Sequence, residues 1–550
     1  MKRITLLMLL LCGFIGAAQI SITGKVSDSA GDPIPFANVA EKGTQNGTTT
    51  DGNGNYTITV ADNATLVVSF IGYQTATVPV KNETVVNIIL QEGDSLDEVI
   101  VTALGVKRQE RELGYAVQTL DTEQIQEVKA VNFIDNLQGK VAGITVTPGA
   151  TGVGSSSKIT IRGEASFSNN NPLFIVDGTP INNNTVFNFS NEAAAGFQEV
   201  DFGNGAGEVN QDDIESVSVL KGPAAAALYG TRAANGAIII ETKNGGKQKG
   251  LGISYNTSFF VDTAFKLPEF QNEYGQGQGG VFEYVDGLGG GVSDNITYSW
   301  GPRLDQGILI PQFDSPVTLP DGTVVRGGDT SLYSGLPITP TEFRSNPDNL
   351  KDFYNTGHTF INNIAITDGF ENGDYRLSFT DLRSESIIPG VDLDRQTVAA
   401  KLNFTPNDKT KIRASINYVN SASGNRPSNG YGSENVNYSL VAWGPRSLNI
   451  DNLRNYWQPG LEGVQQYSFN YTFFDNPYFI LQENRNSFGR DRLFGNVSLS
   501  RKLTPELTAS IRTGMDYSNE KRRFIRNFST NRFRNGAYAE HDVFYREINT

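Results

Sequence analysis

Cysteine is nearly absent. The 550-residue chain has one, Cys12, inside an apolar N-terminal run. Once that run is removed there is no thiol left for a disulfide framework or a thiolate metal site. Histidine is almost as scarce: there are two, His358 and His541, and neither begins an H-x-x-E or H-E-x-x-H zinc pattern. Both absences argue against transition-metal chemistry. Beyond the N-terminus no apolar run approaches the ~20 residues of a membrane helix. Basic charge is outweighed, 45 Lys+Arg against 59 Asp+Glu for a net −14, so there is no general footprint for nucleic acid. There is no P-loop and no nucleophile elbow, and no pair of carboxylates stands out from what reads as solvated loop charge. No enzymatic activity and no cofactor are therefore expected. What the chain has in quantity is Gly 58, Phe 32 and Tyr 21 against Met 3, a balance that points to strands and turns.

Residues 1–18 read as a secretory signal. Lys2 and Arg3 precede an apolar stretch, and Gly16 and Ala18 supply the small residues of a cleavage site before Gln19. Leu11 stands where a lipidation signal would need a small residue before Cys12. The mature chain is thus expected to be exported, without disulfides.

Residues 19–93 show several short strands with turn clusters between them. Ile22, Gly24 and Val26 open an alternating strand, and Asp32-Pro33-Ile34-Pro35 and Asp51-Gly52-Asn53-Gly54 have turn chemistry. A small β-sandwich is predicted. Residues 109–246 read as mixed α/β. A helix is predicted over residues 122–129 with Asp121 as N-cap, and a second behind Asn132 with Ile134, Leu137 and Val141 on one face. Strands are expected at 144–147, 158–162, 173–176, 217–220 and 237–242, with Asp177-Gly178 as a turn and Pro223 opening an Ala-rich helix.

From residue 247 to 550 the pattern becomes a repeated dyad. Ile253, Tyr255, Thr257, Phe259 and Val261 share one face; Phe260 interrupts the polar one. Ile412, Ala414, Ile416 and Tyr418 alternate with Arg413, Ser415 and Asn417. A soluble sandwich shows such alternation too. Strands of about ten residues suit a transmembrane antiparallel barrel instead. So do aromatics near strand ends (Phe404, Tyr418, Tyr517), and short turns that alternate with long loops at residues 262–355 and 420–490.

Between the sandwich and the α/β segment, residues 94–108 form a connecting stretch. Asp97 and Glu98 lead a β-favouring run, Val99, Ile100, Val101, Thr102, then Ala103. Two readings are open: a linker strand paired inside its own unit, or an extended segment offered to another protein's sheet edge. Farther on, Gly275, Gly277 and Gly280 match G-x-G-x-x-G formally, but neither a strand before nor a helix after them supports a dinucleotide site, and they read as loop. Tyr284, Tyr298 and Trp300 in the same Gly/Asp-rich loop are candidates to stack on a sugar or peptide, or simply to pack the loop.

The wording of these segments carries a resemblance. GKVSDSAGDPIPFANV, GTTTDGNGNYTITV and LVVSFIGYQT resemble a carboxypeptidase-regulatory-like domain. NFIDNLQGKVAGITVT, ITIRGEAS, NPLFIVDGTPI and IESVSVLKGPAAAALYGTRAANGAIIIETK are similar to the plug of TonB-dependent outer-membrane transporters, and most of all to the SusC/RagA family; SWGPRLDQ at residues 299–306 matches it as well. DEVIVTA, that is Asp97, Glu98, Val99, Ile100, Val101, Thr102 and Ala103, resembles the TonB box. The resemblance implies a plugged barrel of about 22 strands in the full-length protein. It also implies import of a glycan or oligopeptide with a SusD-like surface lipoprotein, energy delivered through TonB, and the sandwich and TonB box in the periplasm. A signalling receptor that reports substrate occupancy is the alternative. Residues 247–550 are too few for that many strands of ~10 residues, and Thr550 is not a terminal aromatic, so the chain reads as the N-terminal part of a longer protein.

Overall fold

The computed structural model describes residues 19–550 except 45, 71–72, 81–82, 92–98, 102–106, 110–116, 165, 168–169, 186–195, 223 and 247–251. The expected signal segment and Pro223 lie outside the described residues. The chain forms two compact units, the first reaching Gly114 and the second comprising mainly Tyr115–Thr550.

The first unit is a sandwich. One sheet runs Asn55–Ala61, Gln19–Ser27, Ile88–Ile89; the other runs Gly47–Thr49, Asn38–Glu41, Thr65–Ser69, Ala76–Pro79. Alternation decides which side chains meet: Tyr56, Ile58 and Val60 point inward from one strand, Leu66 and Val68 from another, onto Ile22, Val26 and Val39. The expected turn at Asp51 is an Asx turn, its Oδ1 accepting from Asn53 N and Asn55 N, both at 2.8 Å. Val99–Val101 continues the chain as a strand paired antiparallel with Lys107–Gln109.

The second unit begins with a five-stranded sheet in the order Val117–Asp121, Ile214–Leu220, Ala237–Thr242, Leu173–Val176, Thr179–Ile181. Leu173–Val176 lies parallel to Ala237–Thr242 and the other pairs are antiparallel. A two-stranded ribbon, Ile144–Thr147 with Lys158–Ile161, and short helices cover it. The helix behind Asp121 forms with the full capping box, but spans only Thr122–Gln126. It stops early because the Gln211 side chain donates to the Ile125 and Val128 carbonyls, which a longer helix would need. The segment behind Asn132 tightens into a 3₁₀ turn, Phe133–Leu137.

Around this plug runs an open eight-stranded antiparallel meander: Ile253–Asp262, Gly357–Phe370, Gly373–Glu385, Asp392–Asn407, Thr410–Ser423, Asn486–Lys502, Thr508–Thr530 and Phe533–Asn549. The last seven have 13 to 23 residues, longer than the ten expected from the dyads, because the pairing continues past the apolar stretch at the long-loop end. Ile416, Val497, Leu499 and Ile511 are exposed on the outer face, while Ser415 and Asn417 are buried on the inner one. Short turns join strands at one end. At the other, residues 263–356 and 424–485 fold into a loop layer with its own apolar core, including Phe282, Phe313, Phe343, Phe353, Leu453 and Tyr467.

Candidate functional site

The plug meets the wall mainly through charge. Glu208, 2% exposed at the end of the turn Gly205–Glu208, accepts from Arg490 Nη1 at 3.0 Å and from Arg492 Nη1 at 3.1 Å. The wall holds the same arginines from its own side. Arg490 Nε donates to Glu520 at 2.9 Å, and Arg492 donates to both Asp516 oxygens at 2.9 and 2.8 Å. Arg395 donates to the plug carbonyls of Val131 and Gly207 at 3.1 and 2.7 Å. Burial pushes the Glu208 carboxyl up, but Arg490, Arg492 and Arg395 outweigh it and hold the group below its ordinary value. Desolvating such charges costs several kcal/mol per ion unless the geometry is nearly complete, and the forked donors of arginine supply that geometry.

Asp177 is a second anchor, in the turn before Gly178. It accepts from Lys401 Nζ at 3.0 Å and Ser415 Oγ at 2.7 Å on the wall, and from Thr242 N at 3.0 Å and Thr242 Oγ1 at 2.7 Å within the plug. Asp213 pairs with Arg376 of the wall at 2.8 Å. Toward the loop layer the contact turns apolar. Phe197, Val200 and Phe202 of the plug pack on Ile361, Leu382, Leu393, Phe488 and Phe524. The guanidiniums of Arg522 and Arg526 lie 4.2 and 5.0 Å from the ring centres of Phe202 and Phe197. Arg426, wholly buried, donates to the Asp201 carbonyl at 3.1 Å and to that of Val153; burial pushes its guanidinium down to about 10.

The arrangement is one of ion pairs and hydrogen bonds between plug and wall. It suits holding a domain that can be re-solvated, because a charged interface can exchange its partners for water while an apolar one would have to expose its area.

Of the seven residues resembling a TonB box, Asp97, Glu98, Thr102 and Ala103 lie outside the described residues. The backbone of Val99, Ile100 and Val101 is extended, with one edge on Lys107–Gln109 and, among the described residues, no strand on the other. Of the three loop aromatics, Tyr298 and Trp300 are 43% and 65% exposed. Both sit on a strand-like segment bound to the glycine run, Gly277 N to Tyr298 O at 2.8 Å and Gly280 N to Trp300 O at 2.9 Å. The close approach needs glycine: a Cβ on Gly301 would lie 1.8 Å from the Gln276 carbonyl oxygen. Tyr298 neighbours Trp443 and Trp300 neighbours Tyr274, with ring centres 6.0 and 6.2 Å apart. Tyr284 is not with them. At 1% exposure it packs inside the loop core among Phe282 and Phe313, so its ring is not presented to a ligand.

Residues 109–237 match the TonB-dependent Receptor Plug Domain, and residues 22–101 match the CarboxypepD_reg-like domain. SusC, a TonB-dependent receptor of Bacteroides thetaiotaomicron, is 37% identical over 244 residues. In these two domains the chain resembles the SusC-like TonB-dependent receptors. A TonB-dependent receptor of Formosa agariphila is 39% identical over 231 residues. These matches cover 44% and 42% of the present chain, and 23% and 20% of the two relatives. The chain therefore corresponds to part of the length of each. The RagAB peptide importer in its open-open state has the same fold, with a TM-score of 0.55 and 19% identity over 82% of this chain and 46% of that one. These likenesses place the chain in the outer membrane, and its eight-stranded meander is part of a barrel wall.

Glu208, Asp177, Arg490 and Arg492 were not singled out by sequence reasoning. Partners some 280 residues apart leave no spacing signal, and Asp177 read only as a turn residue. A usable signal was present in the apolar exceptions on the polar wall face. Phe260, Val419 and Phe494 sit there because the plug packs against them.

Proposed function

We propose that the full-length protein imports a nutrient, a glycan or an oligopeptide, across the outer membrane. Substrate is captured among the long loops, with a SusD-like surface lipoprotein as the lid. The sandwich and residues 97–103 lie in the periplasm, where TonB adds a strand along Val99, Ile100 and Val101. Main-chain hydrogen bonds then carry the pull, since they need only a free strand edge and not a particular side chain. The observation that supports this reading best is the seat of the plug. Its anchors Glu208, Asp177 and Asp213 are carboxylates held by basic side chains of the wall, contacts that water can replace when part of the plug moves. No covalent step is involved.

The test is uptake of labelled oligosaccharides and oligopeptides by cells that carry the full-length protein, with and without a dissipated proton gradient. Gradient-dependent accumulation is expected. Accumulation that persists after the gradient collapses, or hydrolysis of the label by the purified protein, contradicts the proposal.

A further inference from the structure

The short-turn end of the wall holds a chamber whose lining carries charge of one sign. It is a cavity of about 600 Å³ between residues 178–180 of the plug and the inner face of three neighbouring strands, Thr410–Ser423, Asn486–Lys502 and Thr508–Thr530. By the ~30 Å³ share of a liquid water, it has room for about twenty waters.

Strand register builds the lining. Ser498 stands opposite Arg413 on one side and Arg512 on the other; Ser500 stands opposite Lys411 and Ser510. Arg413 and Lys411 share the inner face with the buried Ser415, since residues two apart point the same way, and their cross-strand partners follow them. The outcome is a grid of two rows, Arg413, Ser498, Arg512 and then Lys411, Ser500, Ser510. Neighbouring strands lie about 4.8 Å apart, so Arg413 and Arg512 stand about 10 Å apart across Ser498, a gap their long side chains can close on one ligand.

The grid offers donors. Ser510 Oγ donates to Ser500 Oγ at 2.9 Å, which leaves the Ser500 proton to point onward. Among the described residues no carboxylate lines the cavity, and neither Lys411 nor Arg413 is paired with one. In a chain of net charge −14, three cations on an acid-free lining are a local reversal of sign, and a cleft with low-dielectric walls focuses that field.

We propose that this chamber binds a tetrahedral oxyanion, phosphate or sulfate, free or as a soluble monoester. Lysine and arginine donate and never accept, so the ligand must be an acceptor, and a charged acceptor makes the strongest bonds to them. Donors spread over three strands and two rows call for several oxygens pointing apart, which a planar carboxylate lacks. The grid faces the plug and not lipid, which excludes a phospholipid headgroup. The ligand also reinforces the plug's seat. Arg512 lies against the plug: a Cβ on Gly178, where φ is +84°, would be 2.1 Å from Arg512 Nη1. An oxyanion held beside Arg512 therefore sits next to the turn that carries the anchor Asp177.

Such a site needs no cargo, so it is tested at equilibrium and without transport. The full-length protein in detergent is titrated calorimetrically with phosphate, sulfate, acetate and glucose at fixed ionic strength. Saturable binding of phosphate or sulfate is expected, with acetate about tenfold weaker or worse and glucose silent. Lys411→Gln and Arg413→Gln, both at exposed positions, should each weaken it about tenfold. Ser498→Asp, which sets a carboxylate between the two arginines, should abolish it. Lys521→Gln, farther along the strand of Arg512, should leave it unchanged. With phosphate bound, hydrogen exchange at the Asp177, Gly178 and Thr179 amides should slow. The proposal is overturned if neither oxyanion saturates, if acetate binds as tightly, or if the Lys411 and Arg413 variants bind as before. It is equally overturned if Lys521→Gln weakens binding as much as they do, the sign of diffuse screening, or if exchange at the turn is unchanged.

Discussion

Asp475 lies between opposing influences. Burial pushes its carboxyl up to about 7; the Asn531 N–H and the Gln466 amide pull it back, Glu434 pushes it further, and Arg526 opposes. The folded pKa is thus above the ordinary 3.8, so the folded state holds a proton that the unfolded chain has lost between about pH 4 and 7. Over that window stability falls as pH rises, by up to about 4 kcal/mol for a shift of this size. Asp475→Asn removes the ionisation. The variant should resist heat better than the parent at pH 8, with the gap closing at pH 5, as followed by thermal unfolding. Lower stability of the variant at pH 8 would mean that the charge is needed. At Glu208 the sign is reversed, because its charge is matched. Glu208→Ala leaves Arg490, Arg492 and Arg395 facing each other, and a loss of about 3–5 kcal/mol in urea unfolding is expected. Neither role was legible in sequence. A buried acid and a solvated one are the same letter; Glu208 is held by arginines of distant strands, and Asp475 by Gln466 and by the Asn531 N–H of the turn between the last two strands.

At the scale of elements, the alternation of the wall strands was legible. Period two is local, and the chain carries it plainly at Ile412, Ala414, Ile416 and Tyr418. What alternation could not say is what stands on the inner side of each polar position. Ser415 is bonded to Asp177 beneath the plug, whereas Ser498 faces a cavity of about 600 Å³ with Lys411 and Arg413. An arginine at Ser415 would collide with the plug, so the informative contrast is Ile416→Arg against Ser498→Arg. The first places charge on lipid at about 2–4 kcal/mol near the midplane; the second extends into open space. Heat-modified mobility of the outer-membrane fraction should show poor assembly for Ile416→Arg and near-normal assembly for Ser498→Arg. Equal assembly of the two would contradict the assigned register. Helix ends were less legible than strand faces. The Thr122–Gln126 helix is cut short by a glutamine 85 residues farther on, at Gln211, a contact that no capping rule anticipates.

The whole molecule joins a sandwich, a strand paired on one edge with Lys107–Gln109, and a plug seated by charge in an outer-membrane wall. The order of these parts was legible because each has its own wording and periodicity; the seat was not, because it exists only once plug and wall are folded together. The strand at Val99, Ile100 and Val101 is proposed to transmit force. Val101→Pro removes one backbone donor and obstructs strand pairing, whereas Val101→Thr keeps that donor and the β-propensity. Energised uptake is measured beside substrate binding at the cell surface, in cells carrying the full-length protein. Val101→Pro is expected to abolish uptake while surface binding and membrane assembly stay normal, with Val101→Thr close to the parent. Normal uptake by the Val101→Pro variant would contradict it.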